Sequence, residues 1–224
     1  MTMTVTVRWL GHSGFQIRAG GKVVYVDYYR PKKLIEKVPT VSEQATLILV
    51  THSHNDHCFP EAISSVRTSK TIVVAPEDCW KDIGGTVTAL KPGEEIAVQG
   101  IKVRAVEAYN LKRFRSPGNP YHPKGFGVGY VVTMDGKTIY HAGDTDLVPE
   151  MQKIGRVDVA LLPCGNKYTM DNVEAAEAAL IIKPRIAVPM HTWDKGTDEF
   201  KKKAGSGAGI KVITLHEGEE FSVG

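Results

Sequence analysis

The chain has 224 residues, 42% hydrophobic and 24% charged, with 28 Lys and Arg against 25 Asp and Glu. That composition excludes a disordered tail or a coiled coil, and a net charge of +3 is too small to mark a nucleic-acid carrier. Apolar runs are strand-sized, far short of the roughly 18 residues of a membrane span, and three widely spaced Cys do not make a secreted disulfide framework. Met1 to Val7 lacks the charged and apolar regions of a signal peptide. The expectation is one cytoplasmic domain over residues 1–224, long enough to bury a core without staples.

Val5 to Leu10, Gly14 to Ile17 and Lys22 to Asp27 read as strands, the last two joined by the hairpin signal Ala19-Gly20-Gly21. Thr46 to Thr51 carries a continuous apolar run of the kind buried on both faces. Pro60 to Val66 reads as a short helix and Thr71 to Ala75 as the next strand. Further strands are expected at Ile101 to Val106, Gly129 to Met134, Lys137 to His141, Val157 to Leu162 and Arg185 to Pro189. Helices are expected at Val148 to Ile154 and at Asp171 to Ile182, the second capped by Asp171 or Asn172 and rich in Ala.

The chain also echoes itself. Gly14-Phe15-Gln16-Ile17 leads through Gly21-Lys22 to Tyr25, and Gly129-Tyr130-Val131-Val132 leads through Gly136-Lys137 to Tyr140, at a constant offset of 115. A buried strand follows each hairpin. Two similar β-rich halves with helices outside make a sheet-on-sheet sandwich.

The chemistry gathers where strands end. His52-Ser53-His54-Asn55-Asp56-His57 follows the apolar run and places four metal-type side chains in six residues. His52 and His54, two apart in extended chain, point to the same side, and Asp56 with His57 can serve a second centre once the chain turns. Neutral imidazole and carboxylate suit zinc or another first-row divalent ion. Three other strands run into His141-Ala142-Gly143-Asp144-Thr145, Met190-His191 and Glu107-Ala108-Tyr109-Asn110. Side chains converging from separate strands are what a metal site needs. His12 can border the same cavity, His141 reads as packing, and Cys164 reads as an inert buried thiol. The loop from Leu111 to Gly125 holds Lys112, Arg113, Arg115 and Lys124 and no acidic residue, which would favour an anionic substrate.

The run His52-x-His54-x-Asp56-His57, the Gly143-Asp144-Thr145 turn and His191 together resemble the metallo-β-lactamase fold hydrolases, over nearly the whole chain. Gly11-His12-Ser13 and Tyr140-His141-Ala142-Gly143-Asp144-Thr145 are similar to the branch with ascorbate-6-phosphate lactonase and N-acylphosphatidylethanolamine phospholipase D. The resemblance implies an αββα sandwich with two divalent ions between its sheets, zinc before manganese or iron. It places His52 and His54 on the first ion, Asp56, His57 and His191 on the second, and Asp144 between them. Where the family has a further His on the first ion, this chain has Tyr109-Asn110, so Asn110 is expected as an amide-oxygen ligand, with His122 as its substitute or as an acid for the leaving group.

The activity so implied is hydrolysis of an ester, lactone or phosphoester in a small anionic substrate, with Asp56 orienting the attacking water and Arg113, Arg115, Lys124 and His122 meeting the substrate. A nuclease of the same fold, a mononuclear iron sulfur-dioxygenase and a non-catalytic ligand-binding relative are the alternatives. A di-iron oxidoreductase would favour Glu where His54 stands. Nucleic acid is not an expected partner, and homo-oligomerisation is left open.

Overall fold

The computed structural model describes residues 4–31, 40–193 and 195–224. Strand β1 (Val5–Gly11) turns at His12-Ser13 into β2 (Gly14–Ala19), and Gly20 and Gly21, both at positive φ, close the hairpin onto β3 (Lys22–Val26). Strands β4 (Leu47–Leu49) and β5 (Ile72–Val74) extend this sheet in parallel, crossing over through α1 (Pro60–Val66). The last strand, β15 (Glu220–Val223), returns to β1, giving the order β15-β1-β2-β3-β4-β5.

After α2 (Trp80–Ile83) the chain forms β6 (Glu95–Val98) and β7 (Ile101–Ala108), then a small hairpin of β8 (Phe114–Ser116) and β9 (Asn119–Pro120). The second large hairpin joins β10 (Gly127–Met134) to β11 (Lys137–His141). Strands β12 (Val159–Pro163), β13 (Ile186–Met190) and β14 (Lys211–Val212) add in parallel, through α3 (Asn172–Ile182) and α4 (Asp198–Ala204). The second sheet runs β14-β13-β12-β11-β10-β7-β6.

The internal echo is structural. Gln16 faces Tyr25 across the first hairpin as Val131 faces Tyr140 across the second, the same offset on both strands. Alternation then builds four layers. Leu47 and Leu49 turn into the core between the sheets with Val159 and Leu161, while Ile48 and Val50 turn outward onto Ala62 and Ile63 of α1. Ala160 and Leu162 turn outward onto the Ala-rich face of α3. Fully burying each such aliphatic side chain contributes about 1.5–3 kcal/mol before chain entropy is charged against it. Helix α3 starts in a capping box, Asp171 accepting from the Glu174 amide at 2.8 Å and Glu174 from the Asp171 amide at 3.2 Å. Such a cap adds about 1 kcal/mol.

Val148 to Ile154, expected as an α-helix, is a 3-10 turn over Pro149–Lys153, confined between the proline and Gly155 at φ 87°. No described helix is long and apolar enough to cross a membrane.

Candidate metal centre

Both parallel strand sets end on one edge of the sandwich, and the side chains singled out by the sequence lie in the loops there. The His-rich run follows β4, Asp144 follows β11 and His191 follows β13. Close approach of these loops depends on glycine. A Cβ on Gly127 would lie 2.9 Å from that of His52, and Gly143, at φ +65°, would put one 2.8 Å from the Val128 carbonyl.

One cluster comprises His52, His54 and His122. His52 Nε2 and His122 Nε2 each approach His54 Nδ1 to 3.1 Å. Burial pushes His52 well below the ordinary imidazole range, lowers His54 and takes His122 to about 4. These are neutral rings with lone pairs. Asn110 does not face them through a free oxygen: its Oδ1 accepts from the His122 amide at 2.8 Å and from His122 Nδ1 at 2.9 Å. Its amide donates to the Tyr168 carbonyl at 2.9 Å and to Asp146 at 3.2 Å. Because the oxygen can only accept, Nδ1 carries the His122 proton and Nε2 the lone pair.

The second cluster comprises His12, Asp56, His57 and His191. His12 Nε2 lies 3.0 Å from Asp56 Oδ2, and its ring lies 4.0 Å from that of His191, centroid to centroid. Burial, reinforced by His191, takes His12 down to about 4. Burial opposes ionisation of Asp56, but His12 and His57 outweigh it and hold the carboxyl well below its usual range. Asp144 sits between the clusters. Its Oδ1 is 3.4 Å from His57 Nε2, and its Oδ2 is 3.1 Å from His191 Nε2 and 3.5 Å from His122 Nε2.

Behind His57 stands a group that the sequence reading did not mark, Asp27. Its Oδ2 lies 2.7 Å from His57 Nδ1 and accepts from the Thr51 hydroxyl at 2.7 Å, while Oδ1 accepts from the Thr51 amide at 2.8 Å. Burial works against the charged form of His57, yet Asp144 and Asp27 together raise it well above the ordinary range. The only sequence signal was a carboxylate ending an apolar strand.

These residues fit metal ions. His57 Nε2, Asp144 Oδ1 and both ring nitrogens of His191 are buried with no hydrogen-bond partner. Each such atom left unsatisfied costs about 1–3 kcal/mol. A cation among them removes that penalty, and the second ring nitrogen of His57 and of His122 is already held by an oxygen, the usual support for a histidine ligand.

A cleft of about 460 Å³ opens over this centre, lined by His54, Asp56, Asp144 and His191 and on its rim by Arg115 and Trp193. Of the loop cations, Arg115 lines the cleft, its Nη2 3.1 Å from His54 Nε2. Arg113 is instead paired with Asp146 at 3.0 Å and with Glu174, and Lys124 with Glu150 at 2.8 Å and Glu107 at 3.4 Å. Elsewhere His141 is fully buried, its Nε2 donating to the Ser13 carbonyl at 2.8 Å, and burial pushes the Cys164 thiol up to about 12.

A two-sheet sandwich with helices on both outer faces and imidazole and carboxylate groups at one edge defines a protein of the metallo-β-lactamase fold. Residues 6–191 match the β-lactamase superfamily domain. The chain is 39% identical to a UPF0173 metal-dependent hydrolase of Thermoplasma acidophilum, over 92% of each. It is 34% identical to one of Pelotomaculum thermopropionicum, over 97% of this chain and 99% of that one. Its fold superposes on Igni18, a metallo hydrolase of Ignicoccus hospitalis, with a TM-score of 0.78 at 28% identity, covering 98% of both chains. The chain belongs to the β-lactamase superfamily, among its metal-dependent hydrolases.

Proposed function

We propose that this chain is a two-zinc hydrolase that cleaves an ester, lactone or phosphoester bond in a small anionic substrate. The observation that carries the reading is the position of Asp144, its two oxygens divided between His57 on one side and His191 and His122 on the other. On this reading His52, His54 and His122 hold the first ion, Asp56, His57 and His191 the second, and Asp144 is shared. Bound there, the ions would supply Lewis acidity, bringing the pKa of a coordinated water toward neutrality and drawing charge from the scissile oxygen.

The chain's own residues do the remainder. Asp56, kept ionised by His12, lines the cleft and is placed to accept a hydrogen bond from the attacking water and orient it. His122 has one nitrogen toward Asn110 and the other toward His54, so we assign it as a ligand rather than as the acid. Arg115 on the cleft rim orients the anionic group. All three Cys are free and buried, which supports a reducing, cytoplasmic setting.

The test is elemental analysis of purified protein beside turnover of a panel of small esters, lactones and phosphoesters. Two metal ions per chain with turnover of at least one anionic class is expected. Asp144→Asn should lose metal and turnover, whereas His141→Ala should keep its metal. Fewer than two ions at saturating zinc, or a metal-loaded protein inert to every class, would overturn the reading.

A further inference from the structure

The cleft is not lined uniformly. On the His54 side it carries the Arg115 guanidinium, 5.5 Å above the Tyr121 ring. From Tyr121 a row of aromatic side chains runs toward His191: Tyr121 and Tyr168 meet edge to face at 4.8 Å, and Tyr168 and Trp193 lie 6.4 Å apart. Trp193 lies edge-on to the His191 ring at 5.4 Å, yet it is 50% exposed. A half-exposed tryptophan beside a metal centre is apolar surface left for something to cover.

Its placement is built into the backbone. His191 and Trp193 both sit in the left-handed region, at φ 55° and 48°, where a residue with a side chain is strained. Gly165 lies directly beneath: a Cβ there would be 2.4 Å from the His191 carbonyl and 3.1 Å from Trp193 Cδ1. Beyond Trp193 the wall continues into a second hollow of about 260 Å³, lined by Gly165, Lys167, Tyr168, Trp193 and Lys195. Lys167 covers one face of Tyr168, its ammonium 4.9 Å from the ring centre. Trp193 is left as the broad open surface.

We infer that the cleft binds a substrate with two unlike ends, an anionic group at Arg115 and a planar aromatic ring against Trp193 and Tyr168. The bond to be cleaved then lies between them, over Asp144. This rests on the hydrolase reading for what happens at Asp144, but the aromatic subsite is a binding claim that stands on its own. A saturated ring of similar size gains burial but not the edge and face contacts of an aromatic one.

Two non-hydrolysable anions separate these, phenylphosphonate and cyclohexylphosphonate, each titrated into the zinc-loaded protein by calorimetry and by tryptophan fluorescence. Phenylphosphonate should bind about fivefold more tightly. Trp193→Ala should bring the two affinities within about twofold, while Trp193→Phe keeps most of the preference. Tyr168→Leu should reduce it part way. Because Trp193 is half exposed, its replacement leaves the core intact, and Trp193→Phe guards against a misfolded alanine variant. Equal binding of the two phosphonates, or a preference unchanged in Trp193→Ala, overturns the inference. Discrimination without turnover of any ester would sink the hydrolase reading and leave this subsite standing; turnover without discrimination would do the reverse.

Discussion

Asp27 and His57, thirty residues apart in the chain, share a buried contact of 2.7 Å between Oδ2 and Nδ1. Asp27 pays for its position with a left-handed backbone, φ 45°, which a short acidic side chain tolerates. The contact holds an Nδ1 proton against Asp27 and turns Nε2 toward Asp144, 3.4 Å away, as the atom that would meet a metal ion. Replacing the carboxylate by an amide keeps the size and removes the charge. Asp27→Asn is expected to weaken zinc binding about 10–100-fold while the protein remains folded. Competition against a chelator of known affinity measures this, and a change below twofold would show that the contact does not support the metal.

Asn110 acts on His122 in the same manner, through a neutral oxygen. Asn110→Ala frees the imidazole to rotate and leaves the His122 amide without its acceptor. The expected result is the loss of one ion to a chelator at concentrations the unaltered protein withstands, about tenfold lower. His122→Ala should lose the same ion outright. Equal chelator resistance in all three proteins would remove His122 from the first ion.

The contrast between these residues shows what the sequence could convey. His52, His54, Asp56 and His57 are legible because they fall within six residues and leave an apolar strand together. The sandwich is legible because β2–β3 and β10–β11 repeat one pattern at one offset. His122 lies twelve residues beyond Asn110 on a loop without periodicity, and only the Asn110 contact decides which nitrogen faces inward. The cations from Leu111 to Gly125 looked alike in sequence because their partners, Glu150, Glu174 and Asp146, come from other parts of the chain. The short strands β6, β8, β9 and β14 have too few residues to show alternation; β6 and β14 form because the longer β7 and β13 offer them an edge, and β8 and β9 pair only with each other.

Those loop cations now separate by experiment. Arg115 lines the cleft, and Arg115→Ala should raise KM about tenfold for anionic substrates while leaving uncharged analogues unaffected. Arg113 is held between Asp146 and Glu174, with 11% of its side chain exposed. Arg113→Ala removes the countercharge of the nearly buried Asp146, which keeps its hydrogen bonds from the Leu111 and Lys112 amides and from Asn110, and should cost about 1.5–3 kcal/mol of stability. Steady-state kinetics and urea unfolding of both variants check the division. A KM effect from Arg113→Ala without loss of stability would restore it to the substrate side.

Glu174 gives this network a pH dependence away from the metal centre. Burial opposes its ionisation, but Arg113 and Lys112 outweigh that and bring its carboxyl down to about 2. An unfolded chain binds the proton near pH 4.3, so the stabilisation from Glu174 is complete above that value. It is lost as pH falls toward 2, because the unfolded state takes up the proton first. Lys112 is largely exposed and adds little; the partly buried Arg113 contact is the stronger one. Metal-stripped protein is the proper sample, since acid also protonates the histidines. Its urea midpoint should fall between pH 5 and pH 2, and the fall should be shallower in Glu174→Gln, which begins from a lower midpoint. Parallel pH profiles for the two proteins would mean that Glu174 titrates alike in folded and unfolded chains, and the Arg113 pair would then contribute nothing to stability.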